Sequence, residues 1–241
     1  MAKLSELKSV NQVKALVYGQ PGAGKTCFSA AFPGPILFLD FDNKISSAAR
    51  YYAKQPEITS QIEVVSLGAF LSESPIVEMN RHISDLSAMQ KKGEYPYKTL
   101  VLDSITTFSS AALNHIVKTN PGIKRPLANH PSMQDYGILK REFERLIPGL
   151  LTLDLNVVML GHETMDKDEV TGEIIRGVMM DGSFAQKLPI YFEEVWRAYV
   201  DEKGQHMLQT KSDVKYKCRS QIPGLPSPCP MSYAAIAKYL I

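Results

Sequence analysis

The sequence predicts an α/β fold in which helices cover a mainly parallel central sheet. Short apolar runs rich in β-branched residues alternate with longer stretches in which apolar residues recur at helical spacing. Turn-forming residues between strand-like runs in the C-terminal third add antiparallel β-hairpins. With 241 residues, of which 44% are hydrophobic, the chain fits one larger α/β domain with a substantial core.

Each predicted strand of the parallel sheet is a short apolar run bounded by polar or turn-forming residues. The five strands cover residues 14–19, 36–41, 62–67, 98–103 and 156–163. Helices are predicted over residues 25–32, 44–55, 75–91 and 134–153. Hairpins are predicted to turn at residues 171–172 and 201–204. The predicted organisation is a short N-terminal extension (1–12), a core domain (13–222) and a Pro-rich tail with a short helix (223–241).

The composition excludes several classes of protein. A formal net charge of +2 is too small to indicate a nucleic-acid partner by itself. No apolar stretch is long enough to span a bilayer, and the first residues lack the apolar segment of a signal peptide, so no membrane partner is expected. The three cysteines, Cys27, Cys218 and Cys229, match neither a disulfide framework nor a zinc pattern. They favour a reducing, cytoplasmic setting.

The segment GQPGAGKT, residues 19–26, has the pattern of a phosphate-binding loop between a strand and a helix. Its glycines allow backbone N–H groups to surround a phosphate, Lys25 is expected to contact β- and γ-phosphate oxygens, and the Thr26 hydroxyl to ligate Mg²⁺. A chance match is expected in roughly one chain per hundred of this length, and the flanking strand and helix argue against it. ATP and Mg²⁺ are therefore the predicted ligands. The predicted nucleotide-binding residues are Gly19, Gln20, Pro21, Gly22, Ala23, Gly24, Lys25, Thr26 and Cys27.

A second magnesium ligand is predicted at the end of the fourth strand. In KTLVLDSIT, Asp103 follows four mostly apolar residues, where phosphate-loop proteins place a metal-binding carboxylate. The alternative is an aspartate that only caps the strand. Many mechanical ATPases carry their catalytic glutamate directly after this position, but here the neighbour is Ser104.

A base that activates water must therefore come from another strand. The second strand ends in FLDFDN, so Asp40 or Asp42 can polarise the attacking water. The fifth strand ends in Gly161-His162-Glu163, and His162 is expected to sense the γ-phosphate there. The alternative for His162 is an ordinary histidine at a strand end.

Together these features resemble the RecA-type ATPase core. More narrowly, the chain resembles short phage proteins that consist of little more than that core and are described as RecA-like single-strand annealing proteins. The resemblance covers roughly residues 13–222. It implies hydrolysis of ATP to ADP and phosphate, with Asp42 rather than Asp40 as the catalytic carboxylate. An aspartate here reaches one methylene less far than the family's usual glutamate, and His162 stands where bacterial RecA has a glutamine.

The resemblance also implies a site shared between subunits. KYKCRS resembles the family's basic pair on a late strand, so Lys217 and Arg219 are expected to contact the nucleotide of a neighbouring subunit. The alternative is a solvated basic edge strand. A homo-oligomer, ring or filament, is therefore expected, although the short N-terminal extension does not match the longer segment that RecA uses to polymerise.

The expected DNA contacts lie on two segments. The loop KTNPGIKRPLANHPS follows the Asp103 strand at the place where RecA-like proteins present a DNA loop, and it supplies Lys118, Lys124 and Arg125. Arg176 is the candidate on the second segment, although acidic residues outnumber basic ones between positions 163 and 187. The alternative is a mobile surface loop with ordinary lysines.

The leading hypothesis is an ATP-dependent RecA-like protein that acts on single-stranded DNA in phage-type recombination or annealing, in the cytoplasm of a bacterial host. A single-strand-binding protein is a further candidate partner. The alternative hypothesis is a nucleotide-dependent regulator or loader that acts on a protein, which the acidic stretch 163–173 favours. A metabolite kinase is disfavoured because no arginine-rich lid is evident.

Overall fold

The structure is a computed structural model that describes residues 12–68, 74–127, 129–167, 172 and 174–240. Its strands are β1 (Lys14–Gly19), β2 (Ile36–Asp40), β3 (Ile62–Ser66), β4 (Thr99–Asp103), β5 (Asn156–Lys167), β6 (Ile174–Val178), β7 (Glu194–Val200), β8 (His206–Gln209) and β9 (Cys229–Pro230). Its α-helices are α1 (Lys25–Ala30), α2 (Ser46–Tyr51), α3 (Pro56–Thr59), α4 (Pro75–Lys92), α5 (Ile105–Thr119), α6 (Met133–Leu151) and α7 (Tyr233–Ala237). Two 3₁₀ helices, Ser183–Gln186 and Leu188–Tyr191, precede β7.

The sheet has the order β3-β2-β4-β5-β1-β7-β8-β9, with β6 paired to β5. From β3 to β7 all neighbouring strands are parallel. The pairs β5–β6, β7–β8 and β8–β9 are antiparallel. The predicted fold class, a mainly parallel sheet flanked by helices with antiparallel strands toward the C-terminus, is confirmed.

Alternate residues of the parallel strands face two separate core layers, as expected for a sheet covered on both sides. Leu16 packs in a layer with Phe108 of α5 and Phe143 of α6. Its neighbour Val17 packs on the other face with Phe28 of α1. Because both faces are buried, the strands read as nearly continuous apolar runs rather than as alternating patterns.

Residues 223–240, the described part of the chain after residue 222, pack into the hydrophobic core of the sheet. Strand β9 extends the sheet, and Cys229 and Ile236 are fully buried in the layer that also contains Phe28. The segment predicted as a Pro-rich tail therefore covers one end of the sheet.

Three local predictions differ from the structure. The helix predicted over residues 44–55 is shorter, because α2 covers only Ser46–Tyr51 and α3 begins separately at Pro56. Gln55, directly before the proline, is non-helical, with φ −127° and ψ 70°, so the two helices do not join. Helix α5 was absent from the sequence prediction. The strand predicted around KYKCRS is wrong: Tyr216 and Arg219 make only isolated bridges, to Arg176 and Val195.

Candidate nucleotide-binding site

A cavity of about 510 Å³ lies at the carboxyl ends of β1, β2, β4 and β5, where ligands bind in open parallel sheets. The phosphate-binding loop and the start of α1 form its floor, and α2 forms one wall. The remaining lining residues include Asp42, Asp103, His162, His206 and Met231. The sequence-predicted loop, metal ligand, carboxylate and sensor therefore converge on one cavity.

The loop begins at Gly19, where β1 passes very close to β7. A Cβ atom at Gly19 would lie 2.1 Å from the carbonyl oxygen of Ala198, so only glycine fits. The Nζ atom of Lys25 donates to the carbonyl oxygens of Gly19 and Gln20, at 2.9 and 3.0 Å. Burial lowers the pKa of Lys25, while nearby Asp103 opposes that shift. The ammonium thus lies along the loop, beside the space for phosphates.

Thr26 and Asp103 are paired beneath the loop. The Thr26 hydroxyl donates to Oδ2 of Asp103 at 2.7 Å, and Asp103 is only 3% exposed. Burial raises the pKa of Asp103 to about 6, which means that its negative charge lacks full compensation within the protein. A hydroxyl and a carboxylate are the protein ligands that Mg²⁺ takes when phosphates and water supply the rest. The described residues contain no cluster of three or more His, Cys, Asp or Glu side chains suited to a metal.

Asp42 lies in the cavity and accepts hydrogen bonds from three side chains. Ser104 Oγ donates to Oδ1 at 2.9 Å, Thr107 Oγ1 makes a short bond to the same oxygen, and His162 Nε2 lies 3.2 Å from Oδ2. Burial alone would raise the pKa of Asp42, but the bonds from His162, Thr107 and Ser104 outweigh it and lower that pKa to about 2. Asp42 is therefore ionised at neutral pH.

Asp40 has a different environment. Its carboxylate accepts from the backbone N–H groups of Lys44 and Ile45, at 3.3 and 3.0 Å, at the turn into α2. It therefore shapes the loop after β2, whereas Asp42 points to the nucleotide cavity.

His162 is held by its backbone as well as by Asp42. Its N–H donates to Thr106 Oγ1 at 2.9 Å, and its carbonyl accepts from the N–H of Met179 at 2.7 Å. Thr106 Oγ1 in turn donates to the Met179 carbonyl at 2.7 Å. His162 is consequently tied through its backbone to the β5–β6 hairpin and to the start of α5.

The predicted trans-acting pair lies outside the cavity. One terminal nitrogen of Arg219 donates to the carbonyls of Pro189 and Ile190, at 2.7 and 3.1 Å, and makes a short bond to the carbonyl of Phe192. Arg219 thus supports the end of the second 3₁₀ helix through this one nitrogen, and the residue is exposed. Lys217 is exposed.

Two of the four predicted DNA contacts are engaged in ion pairs. Arg125 donates to buried Asp135 through Nε at 3.0 Å and a terminal nitrogen at 2.6 Å, and its side chain is 5% exposed. The prediction that Arg125 contacts DNA from a mobile loop is therefore wrong, because its guanidinium is buried against the start of α6. Arg176 lies 3.3 Å from Glu163. Lys118 and Lys124 are exposed.

Several site residues had no sequence prediction. Ser104 and Thr107 bond to Asp42. A serine directly after a strand is a helix N-cap signal, and Ser104 does cap α5 by accepting from the Thr107 N–H. His206 contacts the carbonyl of Ala23, 183 positions away, and no local pattern marks it.

A family model described as an AAA domain matches residues 11–221. The chain belongs to this AAA-domain family. The match covers the residues of the phosphate loop and every other predicted site residue. No curated protein has a sequence that matches the chain.

Two solved structures have a similar fold. The KaiC-like protein PH0186 from Pyrococcus horikoshii OT3 is 13% identical with a TM-score of 0.45, covering 82% of this chain and 77% of that one. The RadB recombinase is 16% identical with a TM-score of 0.48, covering 82% and 79%. At these values neither likeness bears on activity or partners. Among the described residues, no helix combines the length and apolar character needed to cross a bilayer.

Proposed function

We propose that this chain is a RecA-like ATPase that binds MgATP in the cavity and hydrolyses ATP to ADP and phosphate. The observation that carries the proposal is the placement of Asp42 and His162 in contact with each other, in the same cavity as the phosphate loop and the Thr26–Asp103 pair. A site built only to bind a nucleotide needs the loop and the metal ligands. A carboxylate paired with a strand-end histidine is suited to positioning water.

The roles of the residues follow from their donors and acceptors. Lys25 supplies positive charge to the β- and γ-phosphates, and Thr26 with Asp103 would hold Mg²⁺, whose charge stabilises that developing on the phosphates. Oδ1 of Asp42 already accepts two hydrogen bonds, while Oδ2 accepts one from His162 and keeps a lone pair for a water molecule. With a pKa of about 2, Asp42 acts mainly by orienting and polarising that water.

The basic test is a steady-state ATPase measurement with analysis of the products. The wild-type protein should release ADP and phosphate in equal amounts, and Lys25→Ala should abolish turnover. Lys203→Ala, at an exposed residue of the β7–β8 turn, is the control and should keep the wild-type rate. Transfer of the phosphoryl group to any acceptor other than water would contradict the proposal.

We also propose single-stranded DNA as the polymer on which the ATPase acts, in a homo-oligomer and with a single-strand-binding protein as a further partner. Support comes from α5, which connects the site to the remaining basic residues. Thr107 in its first turn bonds to Asp42, and exposed Lys118 lies in its last turn, six residues before exposed Lys124. Cationic side chains so placed contact nucleic-acid phosphates without reading sequence.

The DNA proposal is tested by removing those two charges. Lys118→Ala with Lys124→Ala should weaken oligo(dT) binding and lower the slope of log affinity against log salt by about 1.4. It should also remove any stimulation of the ATPase by DNA. The matched control is Lys91→Ala with Lys92→Ala, which removes the same charge from the exposed end of α4. Equal slopes for the two double variants would contradict the assignment.

A second candidate function is a nucleotide-dependent regulator or loader that acts on a protein. The ion pairs Arg125–Asp135 and Arg176–Glu163 favour it, because they withdraw two of the four cations expected to bind DNA. This function predicts ATP hydrolysis that oligo(dT) does not stimulate at any salt concentration.

A further inference from the structure

One wall of the cavity is supplied by a residue far from the phosphate loop in sequence. The Nδ1 atom of His206, the first residue of β8, lies 3.0 Å from the carbonyl oxygen of Ala23. A carbonyl oxygen only accepts hydrogen bonds, so Nδ1 must carry the proton. The contact therefore fixes the tautomer of neutral His206 and joins the β7–β8 hairpin to the loop.

This contact holds the Ala23 carbonyl and with it the orientation of the Ala23–Gly24 peptide in the predicted phosphate-binding loop. The Ala23–Gly24 peptide is trans, so the Ala23 carbonyl and the Gly24 N–H point in opposite directions. A carbonyl held against His206 therefore turns the Gly24 N–H away from His206. Gly22 and Gly24 both have positive φ, at 82° and 88°, the kind of backbone that forms an anion-binding nest.

Without a restraint, this peptide would rotate easily. Glycine admits more backbone conformations than any other residue, so a peptide beside Gly24 is free to flip. A nest in which one N–H points away binds phosphate less well, and its ordering would cost binding free energy. A hydrogen bond to the Ala23 carbonyl removes that cost before the nucleotide arrives.

The donor itself is rigidly held. The backbone of His206 pairs with Val200 of β7, and its carbonyl accepts from the Met231 N–H at 3.0 Å. Strand β7 pairs directly with β1, so that Ala198 lies opposite Gly19, where the loop begins. The imidazole also fits closely, because a Cβ atom at Gly24 would lie 2.9 Å from its Nδ1.

We propose that His206 is a positioning residue for nucleotide binding, which orients the Ala23–Gly24 peptide so that the Gly24 N–H is presented to a phosphate oxygen. The inference rests on the proposed function and adds to it. On this proposal, a residue of the β7–β8 hairpin, outside the loop motif of residues 19–26, helps to fix the conformation of the phosphate-binding loop. The proposal also states that His206 raises the affinity for the phosphates of the nucleotide and not for its adenine base.

The test compares His206→Ala with His206→Asn. An asparagine amide N–H can take the place of Nδ1–H, whereas alanine has no donor. His206→Ala should weaken MgADP binding about tenfold, the order expected for one neutral hydrogen bond. His206→Asn should recover most of that affinity, and Lys203→Ala in the same turn should match the wild type. Calorimetric titration gives the affinities, and thermal unfolding checks that each variant is folded.

A second probe separates the phosphate role from a base contact. Magnesium tripolyphosphate carries the phosphates without a base, and it should lose affinity for His206→Ala by the same factor as MgADP. Unchanged MgADP binding by His206→Ala overturns the inference, as does a loss confined to MgADP. Failure of asparagine to recover affinity also overturns it. If the wild-type protein binds no MgATP, the proposed function itself fails.

Discussion

At the scale of single residues, the reactivity of Asp42 depends on how its two oxygens are used. The hydroxyls of Ser104 and Thr107 both bond to Oδ1, which fixes the carboxylate plane and directs Oδ2 toward His162. The cost of burying the charge is offset by these donors, since the pKa falls rather than rises. A carboxylate so held keeps a lone pair on Oδ2 for one further hydrogen-bond donor, which under the proposed function is the attacking water.

Asp42→Asn should therefore lower kcat by about 100-fold or more, the range for a residue that polarises a reacting group. The affinity for ADP should change little, because the proposed role of Asp42 is toward the water that attacks the γ-phosphate, which ADP lacks. Single-turnover hydrolysis and ADP titration give the two values. A parallel loss of ADP affinity would instead assign Asp42 to nucleotide binding.

At the scale of elements, the connection between α5 and α6 is held by a buried ion pair. Asp135 accepts from the N–H and the hydroxyl of Ser132, completing a capping box at the start of α6, and from Arg125 through two nitrogens. Asp135 is fully buried. The arginine thus anchors a proline- and glycine-containing loop to a helix end.

Arg125→Ala should lower the free energy of unfolding by about 3 kcal/mol, because it leaves a buried carboxylate without its cation. Lys124→Ala, at the exposed neighbour, should change it by no more than about 0.5 kcal/mol. Denaturant unfolding measures both. An equally small effect of the two substitutions would show that Arg125 is not anchored as described.

The same pair predicts a pH dependence. The hydrogen bonds from Arg125 are the main cause that lowers the pKa of Asp135 from 3.8 to about 2. The lowered pKa stabilises the fold fully above pH 3.8, and this contribution is lost as the pH falls toward 2. The difference in unfolding free energy between wild type and Arg125→Ala should thus be constant from about pH 7 to 5 and narrow below about pH 4. A difference that widens in acid would contradict this sign.

The strands and the phosphate loop could be predicted from sequence because local patterns determine them: continuous apolar runs, then glycines with lysine and threonine. Helix α5 could not, because its threonines, serines and isoleucines are weak helix formers. It is stabilised instead by the Ser104 cap and by burial of Phe108 and Ile116. Tertiary contacts likewise decide whether a basic side chain is engaged within its own chain. Arg125 pairs with Asp135, and one nitrogen of Arg219 bonds to the Pro189 carbonyl, and no local sequence pattern indicates either contact.

At the scale of the whole molecule, the cavity is lined by Lys25 of the phosphate-binding loop, whereas Lys217 lies outside the cavity and is exposed to solvent. Arg219, the other predicted trans-acting residue, is bonded to backbone carbonyls of its own chain. If a neighbouring subunit completes the site, Lys217 is the residue of that pair to substitute first, because it is exposed and Arg219 also supports its own chain. Subunit mixing can test whether Lys217 contributes to a neighbour's site.

Lys25→Ala and Lys217→Ala should each inactivate the oligomer, the first through its own loop and the second through its neighbour's. In an equal mixture, an intact site forms wherever the loop comes from the Lys217→Ala chain and the lysine from the Lys25→Ala chain. Random head-to-tail assembly makes this about one quarter of the interfaces, so mixing should restore about one quarter of the wild-type ATPase rate. A Lys217→Ala protein that keeps wild-type turnover, or a mixture that stays inactive, would show that the site is complete within one chain or that another residue serves it.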